Sequence, residues 1–164
     1  MKTLYLVRHA KSSWENALQS DFDRPLNERG LKSAPLMAEL LKGKNVTPDM
    51  IVSSPANRAI TTAGIFAGIL GYPVEKIMQN MEIYTGRNSA LLQIVQTLPD
   101  NCSSAVLFGH NPVMTDFSNF MTGEHLDNMV TCGVVRIDMD NCSWKDACER
   151  SGKLVWYEYP KKHE

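Results

Sequence analysis

The chain has 164 residues, of which 43% are hydrophobic, and carries a formal net charge of -1. This length and apolar content suit one domain with a substantial core, which we expect to span residues 1–164. Acidic and basic residues are interspersed along the chain, so it lacks the basic surface that binds nucleic acid or an anionic membrane. We therefore expect neither nucleic acid nor a membrane among its partners.

The N-terminal apolar run ends at Arg8 after only a few residues. Such a run is too short for a signal-peptide core or a transmembrane helix, which favours a cytoplasmic protein. The cysteines contain no Cys-x-x-Cys pair and are too sparse for a disulfide scaffold, so we expect reduced thiols at Cys102, Cys132, Cys142 and Cys148.

Short β-rich runs alternate with helical patterns along the chain. Strands are predicted at Thr3–Val7, Met50–Ser53, Ala105–Gly109, Gly133–Met139 and Leu154–Tyr159. Strands separated by helices form a largely parallel sheet covered on both faces, to which the closing strands add an antiparallel edge. The predicted fold is therefore α/β, a three-layer α/β/α sandwich.

The first predicted helix follows an N-cap at Asn27, and Pro35 is expected to bend it or break it in two. Its core-facing residues are predicted to be Leu31, Met37, Leu40 and Leu41. The second helix is predicted to have Ser54 as its cap and Pro55 in its first position, and to end at Gly71. The other two are predicted from Ser89 to Thr97 and from Asn111-Pro112 to Gly123.

Three strand-to-helix junctions carry side chains suited to binding an anion. They hold Arg8 with His9, then Arg58, then His110. Taken singly, each has an ordinary interpretation as a strand end, a solvated arginine or a core histidine. Ligands of open α/β sheets bind outside the carboxyl ends of the strands, however, so one fold would bring all four together. Two guanidinium forks and helix-end amides can hold a phosphoryl dianion without a metal, which predicts a phosphate pocket.

These motifs resemble those of the histidine phosphatase superfamily, with its phosphoglycerate-mutase-like fold, and of the small SixA-type phosphohistidine phosphatases within it. The resemblance is carried, in the family's order, by Leu6-Val7-Arg8-His9-Ala10, Arg24-Pro25-Leu26-Asn27-Glu28-Arg29-Gly30, Ser53-Ser54-Pro55 with Arg58, and Gly109-His110-Asn111-Pro112. It implies that His9 is the phosphorylated nucleophile and that Arg8, Arg58 and His110 hold the phosphate. Ser12 falls where related enzymes place a small hydroxyl, although it could equally cap the loop.

Two departures from the family pattern bear on the reaction. Ala10 replaces the usual glycine, which is tolerable where no positive φ is needed. Lys11 and Glu15 stand where phosphoglycerate mutases carry an acidic residue and an asparagine, which favours a phosphatase over a mutase.

The resemblance implies a covalent phosphohistidine on His9 that water then hydrolyses. Glu82 is the candidate acid and base, because it follows a short segment near the expected rim, but an ordinary surface glutamate is an equal interpretation. A missing acid would favour phosphohistidine as substrate, because its leaving nitrogen can be protonated beforehand. With no long lid insertion, the pocket is expected to admit a phosphorylated protein, such as a phosphohistidine-carrying domain, or a small phosphoester.

We expect no metal and no cofactor, because neither His125 nor His163 has ligand-like spacing to an acidic or cysteine partner. The alternatives are a broad-specificity small-molecule phosphomonoesterase and a non-catalytic phosphoprotein-binding module. A metal-dependent phosphoesterase using His9 and His110 is disfavoured by the lack of carboxylate ligands. Trp14, Trp144 and Trp156 are predicted to pack in the core or at the rim, and residues 161–164 to fray.

Overall fold

The computed structural model describes residues 1–140 and 143–164 of the chain. Within these residues one sheet of six strands runs in the order β3-β2-β4-β1-β5-β6. The strands are β1 Lys2–Arg8, β2 Met50–Ser53, β3 Met78–Gln79, β4 Ser104–Gly109, β5 Val134–Met139 and β6 Lys153–Glu158. Four strands are parallel, whereas β5 and β6 add antiparallel pairs at one edge. The predicted strand arrangement is thus confirmed.

The register aligns the carboxyl ends of the three central parallel strands. Arg8 at the end of β1 pairs with Gly109 at the end of β4, and Ser53 of β2 pairs with Phe108 of β4. The residues that follow these strands therefore emerge side by side at one edge of the sheet.

The helices lie on both faces of the sheet, as the three-layer prediction requires. They are α1 Glu28–Gly43, α2 Asn57–Leu70, α3 Met81–Thr85, α4 Asn88–Gln96 and α5 Val113–Thr122. Alternate residues of β1 enter two separate cores because successive strand side chains point to opposite faces. Leu4 and Leu6 join a core with residues of α4 and α5, whereas Tyr5 and Val7 join one with residues of α1 and α2.

The first helix confirms its predicted start and corrects two details. The Asn27 side chain accepts a hydrogen bond from the Gly30 N–H at 2.9 Å, which caps α1. The helix continues unbroken through Pro35. Pro35 has no N–H to donate to the carbonyl of Leu31, four residues earlier. Leu31 was predicted to face the core but is 52% exposed, so water can reach this carbonyl.

The predicted start of the second helix is wrong. The helix begins at Asn57 after Ala56, and Ser54 and Pro55 precede it. The Ser54 hydroxyl accepts from the Ala56 N–H at 3.2 Å, before the helix starts, and lies 2.8 Å from a ring nitrogen of His110, so it does not cap the first turn of α2. The predicted end at Gly71 is confirmed, since Gly71 has a left-handed φ of 78°.

The later helices lie close to their predicted positions. Helix α4 corresponds to the third predicted helix and lies one residue earlier at each end. The fourth predicted helix corresponds to α5, which runs from Val113 to Thr122 with Gly123 as its C-cap. Two short elements, β3 and α3, were not predicted, because two and five residues are too few to show a hydrophobic period.

The remaining predictions concern the tryptophans, the tail and the thiols. Trp144 is fully buried, and Trp156 packs on the ring of Tyr5. The tail, which was predicted to fray, forms a 3-10 turn over residues 160–162, and His163 contacts Glu158. Free thiols are found at Cys102, Cys132 and Cys148, while Cys142 lies outside the described residues. No helix in the described ranges is long and apolar enough to cross a membrane.

Candidate active site

A cleft of about 330 Å³ opens at the carboxyl ends of β1 and β4. Its walls come from the ends of these strands, the loop that follows β1, the first turn of α2 and the loop that precedes β5. The lining residues are Arg8, His9, Lys11, Ser12, Trp14, Arg24, Arg58, His110, Asn111 and Thr131. Five of the six predicted site residues are among them.

His9 is held in one orientation by the backbone. Its side chain is almost completely buried, and its Nδ1 lies 2.7 Å from the carbonyl oxygen of Ala10. A carbonyl can only accept, so Nδ1 carries the proton and donates it, which leaves the Nε2 lone pair available. No residue in the described ranges forms a hydrogen bond with Nε2.

The loop that supplies this carbonyl is itself fixed to α2. The backbone N–H of Ala10 donates to the hydroxyl of Thr62 at 3.1 Å, and that hydroxyl donates to the carbonyl of Arg58 at 2.7 Å. The acceptor for His9 is therefore tied to the same helix that carries Arg58.

Burial lowers the pKa of His9 to about 4. The hydrogen bond to Ala10 opposes this effect, and the positive charges of Arg58, Arg8 and Arg24 add to it. The imidazole is consequently neutral at physiological pH, the state in which a ring nitrogen can act as a nucleophile.

His110 lies beside His9, with ring centroids 5.1 Å apart. Its Nε2 is 2.8 Å from the hydroxyl of Ser54, and the ring of Tyr84 packs edge-on against it at 5.4 Å. Burial, followed by the nearby His9 and Arg58, lowers the pKa of His110 to about 3. Both histidines are therefore neutral.

Arg58 is buried and oriented by Asp21, a residue that the sequence analysis did not select. Its guanidinium donates to the Asp21 backbone carbonyl at 2.7 Å and to the Asp21 carboxylate at 3.0 Å. The hydroxyl of Tyr84 donates to the same carboxylate at 2.8 Å. Burial favours a higher pKa for Asp21, but the hydrogen bonds from Tyr84 and Arg58 outweigh it and hold the pKa at about 2.

A third arginine, Arg24, enters the cleft from the loop before α1. It donates to the Ser12 hydroxyl at 2.6 Å and forms an ion pair with Asp21 at 3.2 Å. The guanidinium carbon of Arg24 lies 3.5 Å from the ring centroid of Trp14. Trp14 is 75% exposed, so this ring lies at the rim of the cleft. Arg24 opens one of the motifs that carry the family resemblance. Its spacing of three residues from Asp21 was the sequence signal that could have indicated the ion pair.

Arg8 completes the cationic lining. Its guanidinium donates to the carbonyl of Met129 at 2.8 Å. The Nε atoms of Arg8 and Arg58 are buried without a partner among the described residues. Three guanidinium groups thus surround a neutral imidazole, an arrangement that can bind the oxygens of a phosphoryl group.

Comparison with known proteins identifies the family. The sequence profile of the histidine phosphatase superfamily, branch 1, matches residues 4–105. The chain belongs to the histidine phosphatase superfamily. It is an enzyme of the phosphatase or mutase type, and within the superfamily it is of the SixA type.

Solved structures of SixA proteins superpose along nearly the whole chain. The putative phosphohistidine phosphatase SixA of Agrobacterium tumefaciens is 30% identical, with 97% of this chain and 98% of that one covered and a TM-score of 0.83. A protein histidine phosphatase SixA complexed with tungstate has a TM-score of 0.85 with 99% of both chains covered, but at 22% identity it shows the fold alone.

Similarity in sequence extends to two kinds of curated protein. An uncharacterized chloroplastic protein of Arabidopsis thaliana is 27% identical over 94% of this chain and 74% of its own length. The 2,3-bisphosphoglycerate-dependent phosphoglycerate mutase of Bifidobacterium longum is 45% identical over 64 residues, which are 38% of this chain and 26% of the mutase.

The structure separates Glu82 from the other predicted site residues of this histidine phosphatase. Glu82 is exposed in the first turn of α3 and is not among the residues that line the cleft. Tyr84 is the residue of α3 that contacts the site, through His110 and Asp21. In the described ranges, no group of three or more His, Cys, Asp or Glu side chains is arranged to hold a metal ion.

Proposed function

We propose that this histidine phosphatase hydrolyses phosphohistidine on proteins, without a metal ion, through a covalent phosphoryl group on His9. The observation that carries the proposal is the composition of the cleft lining. Among the described residues it contains three arginines and two neutral histidines but no carboxyl group. Asp21, which is paired with Arg58 and Arg24, has a pKa of about 2, so it is no proton donor.

In the first step the Nε2 lone pair of His9 attacks phosphorus, and the bond from phosphorus to the substrate imidazole breaks. The substrate ring, protonated on its other nitrogen, leaves as neutral imidazole. His9 keeps its Nδ1 proton, donated to Ala10, and becomes the phosphoimidazolium. The substrate ring changes from phosphoimidazolium to neutral imidazole while His9 makes the reverse change. The step therefore needs no acid from the protein.

In the second step a water oxygen attacks phosphorus and the bond to Nε2 breaks. His9 returns to the neutral ring with its Nδ1 proton, and both protons of the water leave with the phosphate as the dihydrogen ion. A serine alkoxide, by contrast, leaves only with a proton, and the cleft lining has no carboxylic acid to supply it.

The arginines supply the remaining requirement of phosphoryl transfer, which is neutralisation of the equatorial oxygens. Arg24 and Arg58 are buried, Arg8 is partly buried, and all three line the cleft with His9. Replacing Arg58 with Ala should lower kcat/KM by roughly a hundredfold, because one charged donor to the transition state is lost.

The test is to incubate the protein with a peptide carrying labelled phosphohistidine, quench, and isolate the phosphoenzyme. We expect a label stable to base and labile to acid, formed equally with and without EDTA. His9→Ala should abolish it and lower turnover by roughly a thousandfold or more, whereas the exposed His125→Ala should match wild type. Turnover by His9→Ala would refute the nucleophile, and loss in EDTA would refute metal independence.

A substrate panel then tests the leaving group. We expect kcat/KM for the phosphohistidine peptide to exceed that for a matched phosphoserine peptide and for small phosphate esters. Equal values would support a broad-specificity phosphomonoesterase instead. Tight binding of the phosphopeptide without turnover would support a non-catalytic binding module.

A further inference from the structure

A second groove of about 390 Å³ continues from the catalytic cleft, with Lys11 and Thr131 lining both. One wall is the first turn of α1, with Arg29. The other is the C-terminal turn, with Lys161. No step of the proposed reaction uses this groove, since the phosphoryl group fits within the arginines of the cleft.

The groove carries positive charge that the protein neutralises only in part. Neither the Lys11 nor the Lys161 ammonium forms a hydrogen bond or ion pair with any residue in the described ranges. Among the described residues Arg29 pairs only with Glu164, at 3.4 Å, and their side chains are 55% and 44% exposed. Such a pair contributes little and exchanges readily for another anion. With a net charge of -1 for the chain, this accumulation is local.

The floor of the groove is apolar. It is formed by Val130, Tyr159 and Pro160, and Val130 is 39% exposed. A compact polyanion would gain nothing from this surface, whereas a peptide can cover it with its backbone and apolar atoms while its carboxylates reach the cations.

We infer that the groove formed by Lys11, Arg29 and Lys161 over Val130, Tyr159 and Pro160 binds an acidic peptide segment next to the phosphorylated residue. This inference rests on the proposed function, because the cleft must hold the phosphoryl group of the same protein. The groove then sets specificity among phosphorylated proteins through charge complementarity.

The test compares kcat/KM for two phosphohistidine peptides that differ only in their flanks, aspartate and glutamate in one, asparagine and glutamine in the other. Wild type should prefer the acidic peptide by roughly tenfold, mainly through KM, as expected of a few exposed ion pairs. Added salt should reduce the preference. In the double variant Arg29→Glu with Lys161→Glu the preference should disappear.

The matched control is Lys145→Glu with Lys153→Glu, which changes the net charge equally at exposed positions outside both cavities. It should keep the preference. Phosphoramidate, too short to reach the groove, serves as reference substrate, and the ratio of peptide to phosphoramidate kcat/KM is the readout. Lys161→Gln, a milder change at an exposed position, should reduce the preference if the double variant folds poorly.

The possible failures are distinguishable. If wild type turns over neither peptide, the proposed function fails. Turnover of both peptides with equal kcat/KM overturns the groove inference and leaves the proposed function standing. A preference that survives in the double variant, or equal losses on the peptides and on phosphoramidate, would likewise overturn it.

Discussion

The Asp21 carboxylate joins two arginines that face the cleft. One oxygen accepts from Arg58 and Tyr84, and the other lies 3.2 Å from Arg24. Because it is anchored by three donors, Asp21 fixes where both guanidinium groups point before a substrate arrives. We interpret Asp21 as a positioning residue, since it acts through the arginines.

Replacing Asp21 with Ala should lower kcat/KM by roughly ten- to a hundredfold, because misplaced phosphate-binding groups lose much of their effect. The loss should appear in kcat as well as KM if the arginines hold the transition state. Steady-state kinetics with the phosphohistidine peptide would measure it. Asp23→Ala is the control, since the Asp23 carboxylate is exposed and, within the part of the chain that the structure describes, accepts only from Ser20. Increased activity in Asp21→Ala would show instead that Asp21 competes with substrate for Arg58.

At the scale of elements, the start of α1 is locked against the loop that follows β1. A Cβ atom added to Gly30 would lie 2.2 Å from the backbone carbonyl oxygen of Lys11 and 3.0 Å from the backbone nitrogen of Lys11. The same carbonyl accepts from the backbone N–H of Asn27 at 3.0 Å. Glycine therefore permits a close approach that fixes the backbone next to Ala10, the acceptor for His9.

Replacing Gly30 with Ala should lower the free energy of unfolding by about 1–3 kcal/mol and reduce kcat/KM, because the loop must move away from the added methyl group. Denaturant unfolding and steady-state kinetics measure the two effects. In Gly64→Ala the added Cβ, in the middle of α2, meets nothing within 4 Å, so stability should rise by about 0.5–1 kcal/mol. Equal changes in unfolding free energy for Gly30→Ala and Gly64→Ala would contradict the close packing of Gly30 against Lys11.

At the scale of the whole molecule, acid stability depends on imidazoles that fold in the neutral state. Burial lowers the pKa of His9 from 6.5 to about 4, so between these values the unfolded chain binds a proton that the folded protein does not. The free energy of unfolding therefore decreases as the pH falls through this window, and above pH 6.5 His9 contributes no pH dependence.

Protonation of His9 in the unfolded chain should lower the free energy of unfolding by about 3 kcal/mol between pH 7 and pH 4. His9→Asn removes the titrating group, so its unfolding free energy should decrease less over the same range. Denaturant unfolding at several pH values measures the difference between the two proteins, in which the carboxylates common to both cancel. Parallel profiles for wild type and His9→Asn would show that burial does not depress the pKa of His9.

The sequence by itself determined the features that depend on local pattern. Period-two and helical runs indicated the long strands and helices, Asn27 and Gly71 marked helix ends, and strand ends indicated where Arg8, His9 and His110 emerge. These predictions succeeded because propensity, capping and hydrophobic period act over a few residues. The short β3 and α3 lack such a signal.

Only the tertiary structure decided which side chains meet. The Arg58 to Asp21 contact spans 37 residues, and Tyr84 reaches the same carboxylate from α3 while Glu82, two residues earlier, remains at the surface. Ser54 suits a helix cap by local rules, yet it binds His110, 56 residues away. Contacts between distant segments follow from how the layers pack, and no local pattern encodes that distance. The low pKa of His9 follows likewise from burial among arginines that the fold assembles around it.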